Sequence, residues 1–219
     1  MRRRIAFTPD DLIACYRQGV FPMAESRDAE SLFLVDPERR GVFPLAAFHV
    51  PRRLARTIRQ ERFQITVNQD FLGVLDACAE PGPDRDNTWI SPAIRTLYGA
   101  LHAQGFAHSI EARHDGLLVG GLYGVALGGA FFGESMFSRE RDASKVALAH
   151  LVARLRAGGF RLLDAQFHTE HLAQFGLTEI GRGAFKAQLH DALGVAGDFF
   201  RFPADASGAQ VLQSIAQTS

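Results

Sequence analysis

Cysteine is scarce: only Cys15 and Cys78 occur in 219 residues, and they form no C-x-x-C pair. That argues against a disulfide framework and a thiolate zinc site, and makes a reducing, cytoplasmic setting the expectation. No run of about 18 apolar residues is present, so no membrane span is expected. Met1 to Ala6 carries three arginines without the apolar run that a signal peptide requires. Walker A, G-x-G-x-x-G, H-E-x-x-H and G-x-S-x-G motifs are all missing, which removes the commonest motif-based enzyme classes. Internal repeats and low-complexity tracts are missing too. Excess charge is also lacking, because 24 Lys+Arg balance 24 Asp+Glu. Neutrality excludes indiscriminate electrostatic binding to nucleic acid, but not a local basic face.

What is present is the balance of a soluble globular protein, 47% hydrophobic and 22% charged. Such a chain can bury a core without a covalent or metal staple, and its length allows one large domain or a medium domain with a small one. Thr8-Pro9-Asp10-Asp11 reads as a capped helix start, with Leu12, Ile13 and Tyr16 inside and Gly19 as the stop. Two short extended pieces flank Asp36-Pro37. Residues 1–45 read as a small N-terminal module and 46–219 as the main domain. Residues 50–60 read as a helix with Arg52, Arg56 and Arg59 on one face. Arg39 to Arg62 contains seven arginines and one acid, Glu61, a formal +6. A solvated helix face and a phosphate-facing surface both fit that count.

A strand over Gln64–Val67 follows, then a helix that Asn68 can cap, with Phe71, Val74, Leu75 and Cys78 inside. Pro81 to Asn87 is a turn-rich loop. Ser91-Pro92 opens a helix stopped by Gly105. Beyond His108 the pattern turns to strands: Ser109–Ala112 and Leu117–Val125 flank Asp115-Gly116, a hairpin signal. Gly128-Gly129 turns the chain into Ala130–Met136. Asp142 or Ser144 opens a helix to Ala157, Arg161–Gln166 is a strand, and helices follow near Glu170–Phe175 and Ala184–Leu193. The expected fold class is α+β with one central sheet.

Two anomalies carry the chemistry. Glu134 is a lone acid in the strand Ala130-Phe131-Phe132-Gly133-Glu134-Ser135-Met136, and a buried carboxylate needs a partner or a task. Asp164 and Gln166 interrupt an apolar strand, and their i, i+2 spacing puts both on one face. A strand-end pair bonding a loop and a functional site fit that spacing about equally. The glycines of Gly120-Gly121 and Gly128-Gly129 fit either tight sheet–helix packing or close approach of a ligand. Ser138, Ser144 and Lys145 fit caps and surface. His168 and His171 have a metal-like spacing but no third ligand, so surface histidines are expected. Trp89, the only tryptophan, suits the core or a stacking platform.

Taken together, Gly120-Gly121-Leu122-Tyr123-Gly124, Phe132-Gly133-Glu134-Ser135-Met136-Phe137-Ser138, Ala143-Ser144-Lys145 and Leu163-Asp164-Ala165-Gln166 closely resemble the leucyl/phenylalanyl-tRNA–protein transferase family. Tyr16-Arg17-Gln18-Gly19-Val20-Phe21-Pro22-Met23, Thr88-Trp89-Ile90 and His108-Ser109-Ile110-Glu111 fit as well. The resemblance runs from about Thr8 to Leu193.

It implies a small N-terminal domain and a GNAT-like (acyl-CoA N-acyltransferase-like) C-terminal domain with a central mixed sheet. The implied activity moves leucine or phenylalanine, methionine less well, from aminoacyl-tRNA to the α-amino group of proteins starting with Arg or Lys, creating an N-degron. No cofactor is implied, and a cytoplasmic monomer is expected. By resemblance, Gln166 holds or deprotonates the amine and Asp164 orients it. Glu134 bonds near the aminoacyl group or terminal adenosine, and Trp89 stacks on the tRNA 3′ end. Leu122, Phe131, Met136, Leu148, Leu151, Leu155 and Leu163 line an apolar side-chain pocket. Arg52, Arg56 and Arg59 face tRNA. Family members commonly show Trp-Trp-Ser-Pro where this chain has Leu32-Phe33-Leu34-Val35-Asp36-Pro37, so the adenosine clamp is expected to be weaker or carried by Phe33. The alternatives are a CoA-dependent N-acetyltransferase, which lacks its pyrophosphate loop here, and a non-catalytic tRNA-binding module, which leaves Glu134, Asp164 and Gln166 unexplained.

Overall fold

A computed structural model describes residues 7–29, 31–81 and 87–217. The expected loop at Pro81 to Asn87 falls mostly outside these residues, as do Met1 to Ala6. The chain opens with helix α1 (Pro9–Arg17), where Thr8 and Asp11 form a reciprocal capping box and Gly19 exits at φ +78°. Such a cap contributes about 1 kcal/mol, and the left-handed exit suits glycine. Strands β1 (Phe21–Met23) and β2 (Phe33–Val35) form a two-stranded sheet of their own.

Strand β3 (Arg39–Phe43) leaves this small region and pairs on both sides inside the large sheet. A division at residue 45 therefore cuts behind a strand of the larger unit. The other members of that sheet are β4 (Gln64–Val67), β5 (Ala107–His114), β6 (Leu117–Leu127), β7 (Ala130–Ser138), β8 (Leu162–Gln166) and β9 (Thr178–Gly181). Their order is β4-β5-β6-β7-β8-β3-β9, and only the β7–β8 pair is parallel. The sheet is thus mixed and the fold is α+β.

Helices cover both faces. On one side lie α2 (Arg52–Arg59), α5 (Ala143–Ala157) and α8 (Gly208–Ala216), over a core that includes Leu54, Ile58, Leu148, Leu151 and Val211. On the other lie α1, α3 (Phe71–Ala79), α4 (Pro92–Ala103) and α7 (Arg182–Leu193), around Tyr16, Val74, Tyr98, Phe132 and Phe185. A short helix, α6 (Glu170–Ala173), follows β8. No helix among the described residues is long and apolar enough to cross a membrane.

Asn68 does not cap α3. Asp70 does, accepting the Gly73 N–H at 3.1 Å, while Asn68 sits at φ +58° and accepts the Ser109 N–H at 2.9 Å. The residue pattern does not mark β9, which has a single large apolar residue. Nor did hydropathy mark α8, although Ser207-Gly208-Ala209-Gln210 is a capping box. Gly120 is explained by packing: a β-carbon there would stand 2.5 Å from the Ala143 Cβ at the start of α5.

Candidate active site

The site begins with a break in strand pairing. Strands β7 and β8 pair in parallel only from Ala130 with Leu162 to Phe132 with Asp164. Beyond that point, Gly133 to Met136 and Asp164 to Gln166 line a pocket of about 130 Å³. A bulge shapes each wall. Across β6, Tyr123 faces Ser135 and Gly124 faces Gly133, so Glu134 is the extra residue. Across β3, Gly41 faces Gln166 and Val42 faces Asp164, so Ala165 is the extra residue. Bulges re-aim side chains, and both chemical anomalies of the sequence are placed by one.

Glu134 is half-buried and ringed by donors. Its Oε1 accepts the Tyr16 hydroxyl at 2.6 Å and the Gln166 Nε2 at 3.4 Å, and its Oε2 accepts the Tyr98 hydroxyl at 2.9 Å. The two phenols also contact each other. Burial pushes the Glu134 carboxyl up to about 7, against the lowering effect of the tyrosine bonds; Asp164 adds to the rise and Arg40 opposes it. The same environment pushes the Tyr16 and Tyr98 phenols far up, chiefly through burial.

Asp164 is 0% exposed and forms a bidentate ion pair with Arg40, itself 1% exposed, at 2.8 and 2.6 Å. Its Oδ1 also accepts the backbone N–H of Gln166 at 2.9 Å. Gln166 adopts φ +56°, left-handed for a side-chain-bearing residue. The Phe167 N–H closes this kink onto the Ala165 carbonyl at 2.6 Å. The link from Asp164 to Gln166 therefore runs through the backbone.

Among the residues lining the pocket are Leu122, Met136, Leu148, Leu151 and Leu163, with Phe43 and Leu172 as additions the sequence did not suggest. Phe131 and Leu155, expected among them, lie instead in the core beneath, both fully buried. Phe131 falls where β7 and β8 are still paired, and stacks on Phe199. Leu155 lies two turns beyond Leu148 on α5, roughly 10 Å along the axis. Trp89 packs edge-on to Tyr98 at 6.5 Å, supporting a ring that holds Glu134.

The arginine segment divides. Arg40 is internal, Arg39 meets Glu179, and Arg62 meets Glu140. Arg52, Arg56 and Arg59 are exposed on α2 and have no ion pair among the described residues. His168 and His171 are exposed, and no metal-binding group of His, Cys, Asp and Glu forms among the described residues. A polar cleft of about 500 Å³ between α2, β4 and residues 204–208 contains none of the expected site residues.

Three residues of the cluster were missed in the sequence. Tyr16 and Tyr98 read as core, although a buried phenol needs a partner for its hydroxyl. Arg40 read as surface, although a buried acid calls for a buried base.

The chain is similar to known proteins along nearly its whole length. The family model for leucyl/phenylalanyl-tRNA protein transferase matches residues 42–190, and the model for its N-terminal domain matches residues 6–38. The leucyl/phenylalanyl-tRNA–protein transferase of Caulobacter vibrioides (strain NA1000 / CB15N) is 60% identical over 214 residues, 98% of this chain and 99% of that one. The protein of that name from Hyphomonas neptunium is 61% identical over 193 residues, 88% of this chain and 75% of that one. The one from Rhodopseudomonas palustris (strain HaA2) is 56% identical, across 95% of this chain and 94% of its own. With matches over nearly its whole length, the chain belongs to the leucyl/phenylalanyl-tRNA–protein transferase family.

Proposed function

We propose that the protein transfers leucine or phenylalanine, and methionine less well, from aminoacyl-tRNA to the N-terminal α-amino group of proteins starting with Arg or Lys, and that the product is an N-degron. The observation that carries this reading is the placement of Glu134 and Gln166 beside an apolar pocket between diverging strands. An unbranched-at-Cβ apolar side chain fits the leucine and methionine walls. Such a pocket separates apolar side chains by only about 1–3 kcal/mol per methylene, which suits acceptance of more than one amino acid.

An aminoacyl ester is already activated, so positioning can lower the barrier by several kcal/mol. The amine nitrogen attacks the ester carbonyl carbon, a C–N bond forms, and the bond to the tRNA 3′-oxygen breaks. One proton leaves the amine and one reaches the departing oxygen. Gln166 donates its Nε2 to Glu134, which leaves its Oε1 to accept an N–H of the amine. An amide oxygen is not a base. Glu134, near 7, is matched to an α-amino group of ordinary pKa about 7.7–8 and is the protein group suited to take the proton. Asp164 holds the Gln166 backbone.

In this reading Trp89 and the exposed Phe33, 45% accessible, face the tRNA 3′ end. Arg52, Arg56 and Arg59 grip acceptor-arm phosphates. The larger unit is GNAT-like: antiparallel β5, β6 and β7 lead through α5 into β8, parallel to β7, which supports the assignment. Residues 1–45 form the small N-terminal domain, which lends its last strand, β3, to the large sheet. The enzyme acts as a cytoplasmic monomer without a cofactor. The direct test supplies Leu-tRNA and an Arg-initiated peptide to pure protein and reads peptide mass. A Leu-extended peptide is expected, and its absence overturns the proposal. Gln166→Ala should abolish most transfer without unfolding the protein.

A further inference from the structure

We propose that Arg40 is a positioning residue for the transfer reaction: its guanidinium fixes Asp164, and through Asp164 the backbone kink that presents Gln166. The proposal rests on the reading of Gln166 as the group that holds the attacking amine. Every part of Arg40 is engaged. Nε and Nη2 grip the two oxygens of Asp164, and Nη1 donates to the Gly19 carbonyl at 3.0 Å. The Phe21 and Phe185 rings lie 4.7 and 4.3 Å from its central carbon. Gly19 ends α1, the helix that carries Tyr16 to Glu134. One side chain thus ties β3, β8 and the end of α1 together beside the site.

The kink it supports is strained. A residue with a side chain at φ +56° persists only where its surroundings hold it. Two devices do so, both involving β3. Asp164, aligned by Arg40, accepts the Gln166 N–H. The neighbouring Gly41 leaves room for the turn, since a β-carbon there would stand 2.8 Å from the Phe167 carbonyl carbon. Stability alone does not account for the ion pair, because a buried pair commonly gains nothing over well-packed apolar residues. A lysine cannot reproduce the fork, since it offers a point charge on a flexible stem.

Two experiments test this, one through turnover and one without it. The first compares Arg40→Met, Arg40→Lys, Asp164→Asn and the double variant Arg40→Met/Asp164→Asn in Leu-tRNA transfer. Arg40→Met should lower kcat about 100-fold, the scale of a small misplacement of a reacting group, and leave the KM for aminoacyl-tRNA unchanged. The double variant should lose no more than the worse single one, because both changes remove one linkage. Losses that multiply, or a wild-type kcat in Arg40→Lys, overturn the proposal.

The second experiment follows amide hydrogen exchange by NMR. The Gln166 amide should be protected in the native protein. Arg40→Lys should lift that protection locally and leave Leu162 and Leu163 protected. Should Arg40→Met fail to fold, Arg40→Lys and the double variant carry both measurements. Unchanged protection at Gln166 overturns the proposal even if the wild-type protein transfers nothing, whereas wild-type inactivity counts against the functional reading alone.

Discussion

Glu134→Gln should make the protein more stable and less active, with both effects tied to pH. The carboxyl titrates at about 7 in the folded protein and at 4.5 when unperturbed. Below pH 4.5 both states hold the proton and the residue has no pH-linked effect. Between 4.5 and 7 the unfolded chain releases the proton while the folded protein retains it, so stability falls as pH rises. Above pH 7 the loss is complete at about 3 kcal/mol, taking about 1.4 kcal/mol for each pH unit of the window. A glutamine removes that loss. Its oxygen can accept from Tyr16 and its nitrogen can donate to the Tyr98 oxygen, so neither of these two phenols is left unpartnered. Urea denaturation at a series of pH values isolates the effect, because other titrating groups cancel in the difference between the two proteins. The curves should coincide at pH 4 and separate through pH 7, with the variant gaining roughly 1 M in midpoint at pH 8. Transfer should fall in the same variant, since its amide cannot take the amine proton. A variant less stable than wild type at pH 8, or a difference independent of pH, refutes the reasoning.

Three further outcomes are expected. Met136→Ala widens the apolar pocket and should shift the ratio of kcat/KM for Phe-tRNA over Leu-tRNA upward by about tenfold, measured in direct competition; an unchanged ratio removes Met136 from the specificity wall. Replacing Arg52, Arg56 and Arg59 together by Gln should raise the KM for tRNA and flatten the slope of log affinity against log salt by about 0.9 for each phosphate that is no longer neutralised. A slope equal to that of wild type takes α2 out of the tRNA interface. Gly120→Ala drives a methyl into Ala143 and should cost about 1–3 kcal/mol in chemical denaturation. No loss would mean that β6 and α5 separate without strain.

Much of the fold was legible because local chemistry and tertiary structure agree. Thr8-Pro9-Asp10-Asp11 starts α1, Ser91-Pro92 starts α4, and Asp115-Gly116 turns β5 into β6. Glu134 was legible for a different reason, as a carboxylate where the pattern calls for an apolar residue. Its bulge was not, because a bulge belongs to two strands at once and leaves no mark on the bulged strand alone. Hydropathy also could not separate Leu151 from Leu155, since both are buried on α5 and only depth along the helix decides which meets the pocket. Arg40 was misplaced by counting. A tally of charges along Arg39 to Arg62 assigns every arginine to one surface, whereas β3 turns Arg40 inward against Phe21 and Phe185.

The two acids of the site are treated in opposite ways, and that difference assigns their roles. Asp164 has a guanidinium across both oxygens and a backbone N–H on one of them, so its acceptor sites are committed to structure. Replacing Asp164 by an apolar residue would leave the Arg40 guanidinium an unpaired cation 1% exposed, at a cost of about 3–5 kcal/mol. Glu134 has neutral phenols and an amide instead of a cation, and it titrates near neutrality. It can gain or lose a proton without breaking an ion pair. Two carboxylates on adjacent strands thus divide the work by environment: the ion-paired one anchors and the phenol-ringed one exchanges protons. Gln166 sits between them, its backbone held by the first and its side chain by the second. The strained kink at this residue therefore joins the anchor to the chemistry, which makes Gln166 the residue least able to tolerate a change in either neighbour.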